Sequence, residues 1–198
     1  SSPTRRSSDL WVKQSADRLA GQGYAALAVD LYGGKVTADP GEAHELMRAL
    51  DPNEGLADLK GGVAYLSKQP FIARDKKLGA IGWCMGGMYS RLISQASDAV
   101  GPTAICYGSV ATEPAQVARL AGKPLLLIFG ETDRGIPAQK VKQFADQLKR
   151  IGAKDVTLEI YAGAGHAFMR PGGPQYNAQA AADAWKKVDE FFAAHLKP

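Results

Sequence analysis

Three residues whose side chains suit covalent catalysis stand in one kind of place. Cys84, Asp133 and His166 each follow an apolar run that stops on small residues. Cys84 lies in Leu78-Gly79-Ala80-Ile81-Gly82-Trp83-Cys84-Met85-Gly86-Gly87, with Gly82 and Gly86 two residues to either side. That spacing is the one of a nucleophile elbow, G-x-S-x-G, with cysteine at the nucleophile position. It predicts a strand that ends on a strained turn and passes directly into a helix. Side chains at Gly82 and Gly86 are expected to collide with the turn or a neighbouring strand. A thiol there faces the positive end of the helix macrodipole, which favours the thiolate. The Met85 N–H is left to point at a developing oxyanion. Taken alone, the stretch reads equally well as a buried structural cysteine beside a turn.

The two partners follow in order. Asp133 sits in Gly130-Glu131-Thr132-Asp133-Arg134-Gly135-Ile136-Pro137, after the apolar run Pro124–Phe129. By itself it is a turn or helix-start carboxylate. His166 sits in Tyr161-Ala162-Gly163-Ala164-Gly165-His166-Ala167-Phe168-Met169-Arg170. A lone loop histidine is ordinarily solvated. Together the three have the order nucleophile, acid, base, each at the C-terminal end of a predicted strand, which is the order of an α/β-hydrolase triad. In that chemistry the imidazole takes the thiol proton, the thiolate attacks a carbonyl carbon, and the carboxylate orients the imidazole. Glu131 is the next candidate for the acid. His44 and His195 fall within predicted helices, away from strand ends. No Cys/His group has metal-ligand spacing, and no glycine-rich phosphate loop follows a strand.

The elements that must position these residues follow from apolar periodicity. Trp11–Gly21 predicts a helix, and Tyr24–Val29 a buried strand ending in Asp30-Leu31-Tyr32. Helices are expected over 42–50 and from Asp51-Pro52 to about Gln69, the latter capped by Asp51 with Pro52 at its first position. Leu78–Trp83 is the strand under the elbow and Met85–Ala96 its helix. Thr103–Tyr107 and Pro124–Phe129 are further buried strands. Pro137–Ile151 is an amphipathic helix, and Val156–Tyr161 a strand nearer the sheet edge. Ala178–Leu196 is a long C-terminal helix. Strands alternating with helices predict an α/β fold, a doubly wound and mostly parallel sheet whose strand C-termini share one edge.

Composition sets the outer bounds. A chain of 198 residues, 45% hydrophobic and 22% charged, fits one globular domain with a sizeable core. A net charge of +4 spread along the chain gives no footprint for nucleic acid or a membrane surface. Two cysteines in apolar contexts predict no disulfide framework and a cytoplasmic, reducing setting. No run reaches transmembrane length. Residues 1–10 are polar and without an apolar face. They read as a disordered natural tail or as the in-frame translation of a sequencing adapter, with the single domain then spanning 11–198.

Four pieces carry a family resemblance: Tyr24–Tyr32, Gly82–Gly87, Gly130–Asp133 with Ile136-Pro137, and Ala164–Phe168. The chain resembles the dienelactone hydrolase family over roughly residues 11–196. The resemblance implies an α/β-hydrolase fold and hydrolysis of a lactone or carboxylic ester, with no metal or organic cofactor. It implies Cys84 as nucleophile, His166 as base and Asp133 as its orienter, with Met85 in the oxyanion hole. Arg170, four residues after the histidine, matches the family's grip on a substrate carboxylate, and Trp83 and Phe168 are candidate substrate contacts. The expected partner is a small ester or lactone, and the expected state a monomer or weak homodimer. A thioesterase or acyl transferase with the same triad, or a fragment that only binds ligand, are the alternatives. Where the family places a second carboxylate-binding arginine, this chain has Pro40-Gly41. It is also expected to lack the family's N-terminal strands and the loop that supplies a second oxyanion N–H.

Overall fold

The computed structural model describes residues 6–37, 39–153 and 155–197. They fall into two units, Ser1–Ala73 and Arg74–Pro198. The first unit holds α1 (Arg6–Gly21), α2 (Pro40–Ala49) and α3 (Pro52–Ser67). Both later helices begin on an aspartate followed by proline: Asp39 accepts from the Glu42 N–H at 2.8 Å and Asp51 from the Asn53 N–H at 2.7 Å. Each carboxylate satisfies an amide that the first turn leaves without a partner. α1 begins at Arg6 rather than Trp11, so part of the expected tail is helical. Ser7, Ser8, Asp9 and Leu10 include no glycine or proline to stop the helix from extending N-terminally. Residues 1–5 of that expected tail lie outside the described residues.

The predicted strand over Tyr24–Val29 is not formed among the described residues; the segment makes no ladder, and Leu27 is 43% exposed. Apolar composition fits a strand surface but does not supply the neighbour whose N–H and C=O groups make the ladder. At its end Asp30 builds the expected loop, its carboxylate accepting from the Tyr32 and Gly34 N–H groups at 2.8 and 2.6 Å.

The second unit is a parallel sheet of β1 (Leu78–Trp83), β2 (Val100–Cys106), β3 (Leu125–Gly130) and β4 (Val156–Tyr161), in that spatial order. It carries α4 (Met85–Ala96), α5 (Pro114–Ala118), α6 (Ala138–Arg150) and α7 (Ala178–Leu196). The sequence missed the short α5, which is opened by Pro114. β2 and β3 are buried along their whole length, β3 as its unbroken apolar run requires and β2 with the Thr103 hydroxyl donating to the Gly101 carbonyl at 3.1 Å. β4 is only partly buried and forms one edge, as its alternation implies.

Alternation along β1 sorts the layers. Gly79 and Trp83 share one face, where Gly79 meets Phe192 and Leu196 and Trp83 meets Trp185, all of α7. Gly82 points the other way, into the first turn of α4. The two helices therefore cover opposite faces. The parallel register pairs Trp83 with Cys106, Cys106 with Ile128 and Gly130 with Tyr161, which brings all four strand C-termini to one edge.

Candidate active site

Each of the three residues lies just beyond a strand end on that edge. Cys84 is the N-cap of α4 and holds φ +57°, ψ −119°, a conformation costly for any residue with a Cβ. The turn tolerates it because the surrounding backbone is packed to contact. A Cβ on Gly82 would stand 2.0 Å from the Gly86 carbonyl oxygen. A Cβ on Gly87 would stand 2.7 Å from the Cys106 carbonyl oxygen, and one on Gly108 2.3 Å from the Gly87 carbonyl carbon. The close approach thus falls at Gly82, Gly87 and Gly108. The collision expected at Gly86 is absent, since a Cβ there meets open space. The Cys84 N–H donates to the Cys106 carbonyl at 3.0 Å, which ties the turn to β2.

Cys84 is exposed and Cys106 buried; neither is in a disulfide. His166 Nε2 is 3.0 Å from Cys84 Sγ, and its Nδ1 is 2.7 Å from Asp133 Oδ2. The two contacts use the two ring nitrogens, so the imidazole links thiol and carboxylate in one line. Asp133 is 4% exposed. Its other oxygen, Oδ1, accepts from the Gly135 and Ile136 N–H groups at 2.9 and 3.0 Å, which fixes the carboxylate before α6.

The electrostatics favour an ion pair. Burial opposes ionisation of Cys84, yet its pKa is lowered, because the His166 hydrogen bond and charge and the Met85 N–H together outweigh burial. The hydrogen bond to Cys84, with Asp133 adding to it against burial, pushes His166 from 6.5 to about 9. The Cys106 thiol, by contrast, is driven well above its ordinary value by burial alone.

The other expected site residues divide. Met85 opens α4, with its N–H beside the thiol. Arg170 is half-buried, and its Nε makes no hydrogen bond among the described residues. The guanidinium lies over Gly173, where a Cβ would stand 3.2 Å from Nε. Phe168 does not meet the expectation of a substrate contact. It is fully buried, packed edge-on to Tyr107 at 5.6 Å and against Tyr161 at 5.1 Å, so it backs the histidine loop from within the core. Trp83 turns its indole to Trp185 at 5.5 Å, on the α7 face of the sheet, because it alternates with the residue that enters the turn. Glu131, the alternative acid, accepts from the Gly163 N–H at 3.0 Å and leaves the imidazole to Asp133.

One residue at the site went unread in the sequence. Tyr107 follows β2 at the same edge, holds φ +36° and sets its ring edge-on to His166 at 5.4 Å. Its position just past a buried strand, before Gly108, is the signal that marks the other three. Among the described residues no cluster of three or more His, Cys, Asp or Glu is placed to hold a metal ion, and no helix is long and apolar enough to cross a membrane.

A parallel α/β sheet with a strained strand-to-helix turn at its C-terminal edge is the architecture of an α/β hydrolase. Residues 10–196 match the sequence profile of the dienelactone hydrolase family, and the chain belongs to that family. It is 30% identical over 191 residues to a Yersinia pestis protein named "putative carboxymethylenebutenolidase", covering 90% of this chain and 70% of that one. A Methylorubrum extorquens protein of the same name is 29% identical over 194 residues, covering 91% of this chain and 66% of its own length. The chain thus spans about two thirds of the length of these relatives. A crystal structure of a dienelactone hydrolase-like promiscuous phosphotriesterase from metagenomic libraries superposes with a TM-score of 0.80 at 23% identity, covering 92% of this chain and 80% of that one. At that identity the likeness speaks for the fold.

Proposed function

We propose that this chain hydrolyses a small carboxylic ester or lactone through Cys84, His166 and Asp133, with a thioester intermediate. The observation that carries the reading is the unbroken relay of 3.0 Å from Sγ to Nε2 and 2.7 Å from Nδ1 to Oδ2. The resting pair is thiolate and imidazolium. The thiolate attacks the carbonyl carbon, and the carbonyl oxygen takes up the negative charge. The Met85 N–H, which supports the thiolate at rest, becomes available to that oxyanion once the sulfur is bonded to carbon. The intermediate collapses as the carbon–oxygen bond to the leaving group breaks, and Nε2–H gives its proton to the departing alkoxide. Neutral His166 then takes a proton from water. The hydroxide attacks the thioester, and expulsion of the Cys84 thiolate releases the acid with the imidazolium restored.

Arg170 is the proposed reader of a carboxylate on the substrate, supported by a buried Nε that has no hydrogen-bond partner among the described residues. A thiolate held ready at the surface suits a reducing setting such as the cytoplasm. The test is a reaction with 4-nitrophenyl acetate followed to mass analysis. A burst of 4-nitrophenol with an acetyl adduct on Cys84, and loss of both in Cys84→Ala, is the expected result. An adduct elsewhere, or full turnover by Cys84→Ala, overturns the reading.

A further inference from the structure

The loops after β3 and β4 are laced together at the base of the histidine. The Glu131 N–H donates to the Tyr161 carbonyl at 3.0 Å. The Thr132 N–H and Thr132 Oγ1 both donate to one oxygen, the Ala164 carbonyl, each at 2.9 Å. The Glu131 carboxylate accepts from the Gly163 N–H at 3.0 Å, across the same seam. Gly130 lets the loops close, since a Cβ there would stand 2.4 Å from the Ala164 oxygen.

We propose that Thr132 and Glu131 are positioning residues for His166, their hydroxyl and carboxylate holding the histidine loop against the loop that carries Asp133. The proposal rests on the triad reading above. Two ring nitrogens must meet two partners at once, and a shift of the ring by a few tenths of an ångström lengthens one contact as it shortens the other. Ala164 is two residues from His166, so a bond to its carbonyl acts close to the pivot of the ring. Ala167, next on the other side, holds φ +61°, a conformation that persists only where its surroundings impose it. The side-chain bonds at Gly163 and Ala164 supply part of that constraint. Thr132→Val keeps the shape and both backbone bonds of the seam while removing the hydroxyl. Glu131→Gln keeps an acceptor for Gly163, and Glu131→Ala removes it.

The experiment measures the rate of Cys84 alkylation by iodoacetamide in the full chain at pH 7 and pH 10, with Cys84→Ala as the control for site assignment. Thr132→Val and Glu131→Ala are expected to react roughly two- to tenfold more slowly than wild type at pH 7, the scale of one hydrogen bond. At pH 10, where a thiol ionises without help, the deficit should vanish. Thr132→Ser and Glu131→Gln should restore the pH 7 rate, and kcat should fall in the slow variants with KM unchanged. Equal rates in all variants at pH 7, or a deficit of the same size at both pH values, overturns the positioning role. A wild-type Cys84 that alkylates at pH 7 no faster than a free thiol instead overturns the triad reading, and the positioning role with it. The wild-type rate therefore tells the two failures apart.

Discussion

Asp133→Asn separates the two oxygens of the buried carboxylate. Oδ1 accepts two backbone N–H bonds and Oδ2 faces the imidazole at 2.7 Å. The asparagine oxygen can keep the first two bonds, which leaves its NH2 group opposite Nδ1. An NH2 donates, so Nδ1 must accept, and the ring proton moves to Nε2 as a neutral tautomer. That nitrogen can no longer take the thiol proton. At pH 7 an unassisted cysteine is only a few per cent thiolate, a loss of roughly 30-fold in nucleophile. Loss of general acid–base transfer removes a further 10²–10⁴, roughly. The same substitution in a serine protease lowers kcat by about 10⁴. The two losses multiply to roughly 3 × 10³–3 × 10⁵, so a fall in kcat of about 10⁴ is expected, or about 5.4 kcal/mol at 1.36 kcal/mol per decade. The assay is 4-nitrophenyl acetate hydrolysis alongside thermal melting. The melting temperature should stay close to wild type because the Gly135 and Ile136 bonds survive. A folded variant within tenfold of wild-type kcat refutes the assignment. Glu131 then offers no ready substitute, as it is committed to Gly163.

Four further outcomes follow from the geometry. The pH profile of kcat/KM should rise as Cys84 ionises below its ordinary value and fall as His166 loses its proton at about 9, since the thiolate attacks and the imidazolium protonates the leaving group. In Cys84→Ser, direct NMR titration of His166 should show its pKa moving down toward 6.5, because the contact that raises it most is removed; a value still near 9 would contradict the ion pair. Arg170→Met should raise KM for carboxylate-bearing esters about ten- to a hundredfold and leave neutral esters nearly unchanged, the scale of one charge-assisted bond; equal effects on both would remove Arg170 from substrate recognition. Gly82→Ala should cost about 3 kcal/mol or more through overlap with the Gly86 carbonyl, roughly 6–12 °C in Tm, whereas Gly86→Ala should be tolerated; the reverse order in melting experiments would contradict the packing of the turn.

Much of this site is legible in the amino-acid order. The elbow glycines, the order cysteine, aspartate, histidine and the apolar runs before each depend on local rules. A turn admits only certain residues, and a doubly covered parallel strand is apolar throughout. The bounds of β1, α4, β4 and α7 follow from the same rules, because glycine, asparagine and periodicity mark them within a few residues. What the chain does not spell out is which groups meet across elements. Tyr24–Val29 is a continuous apolar run, as β3 is, yet a strand needs a partner's ladder, and no local pattern names one. Gly86 and Gly87 look alike in sequence, but only the second presses on β2. Phe168 beside the histidine reads as a substrate contact until its ring is found in the core, and Glu131 reads as a possible acid until Gly163 takes it. Tyr107 belongs to no motif and reaches His166 only because parallel register sets the end of β2 beside the ends of its neighbours. Residue types and local spacing determine which chemistry is possible here. Register and close backbone packing decide which of those residues touch, because contacts between distant parts of a chain depend on the whole arrangement and not on any one stretch.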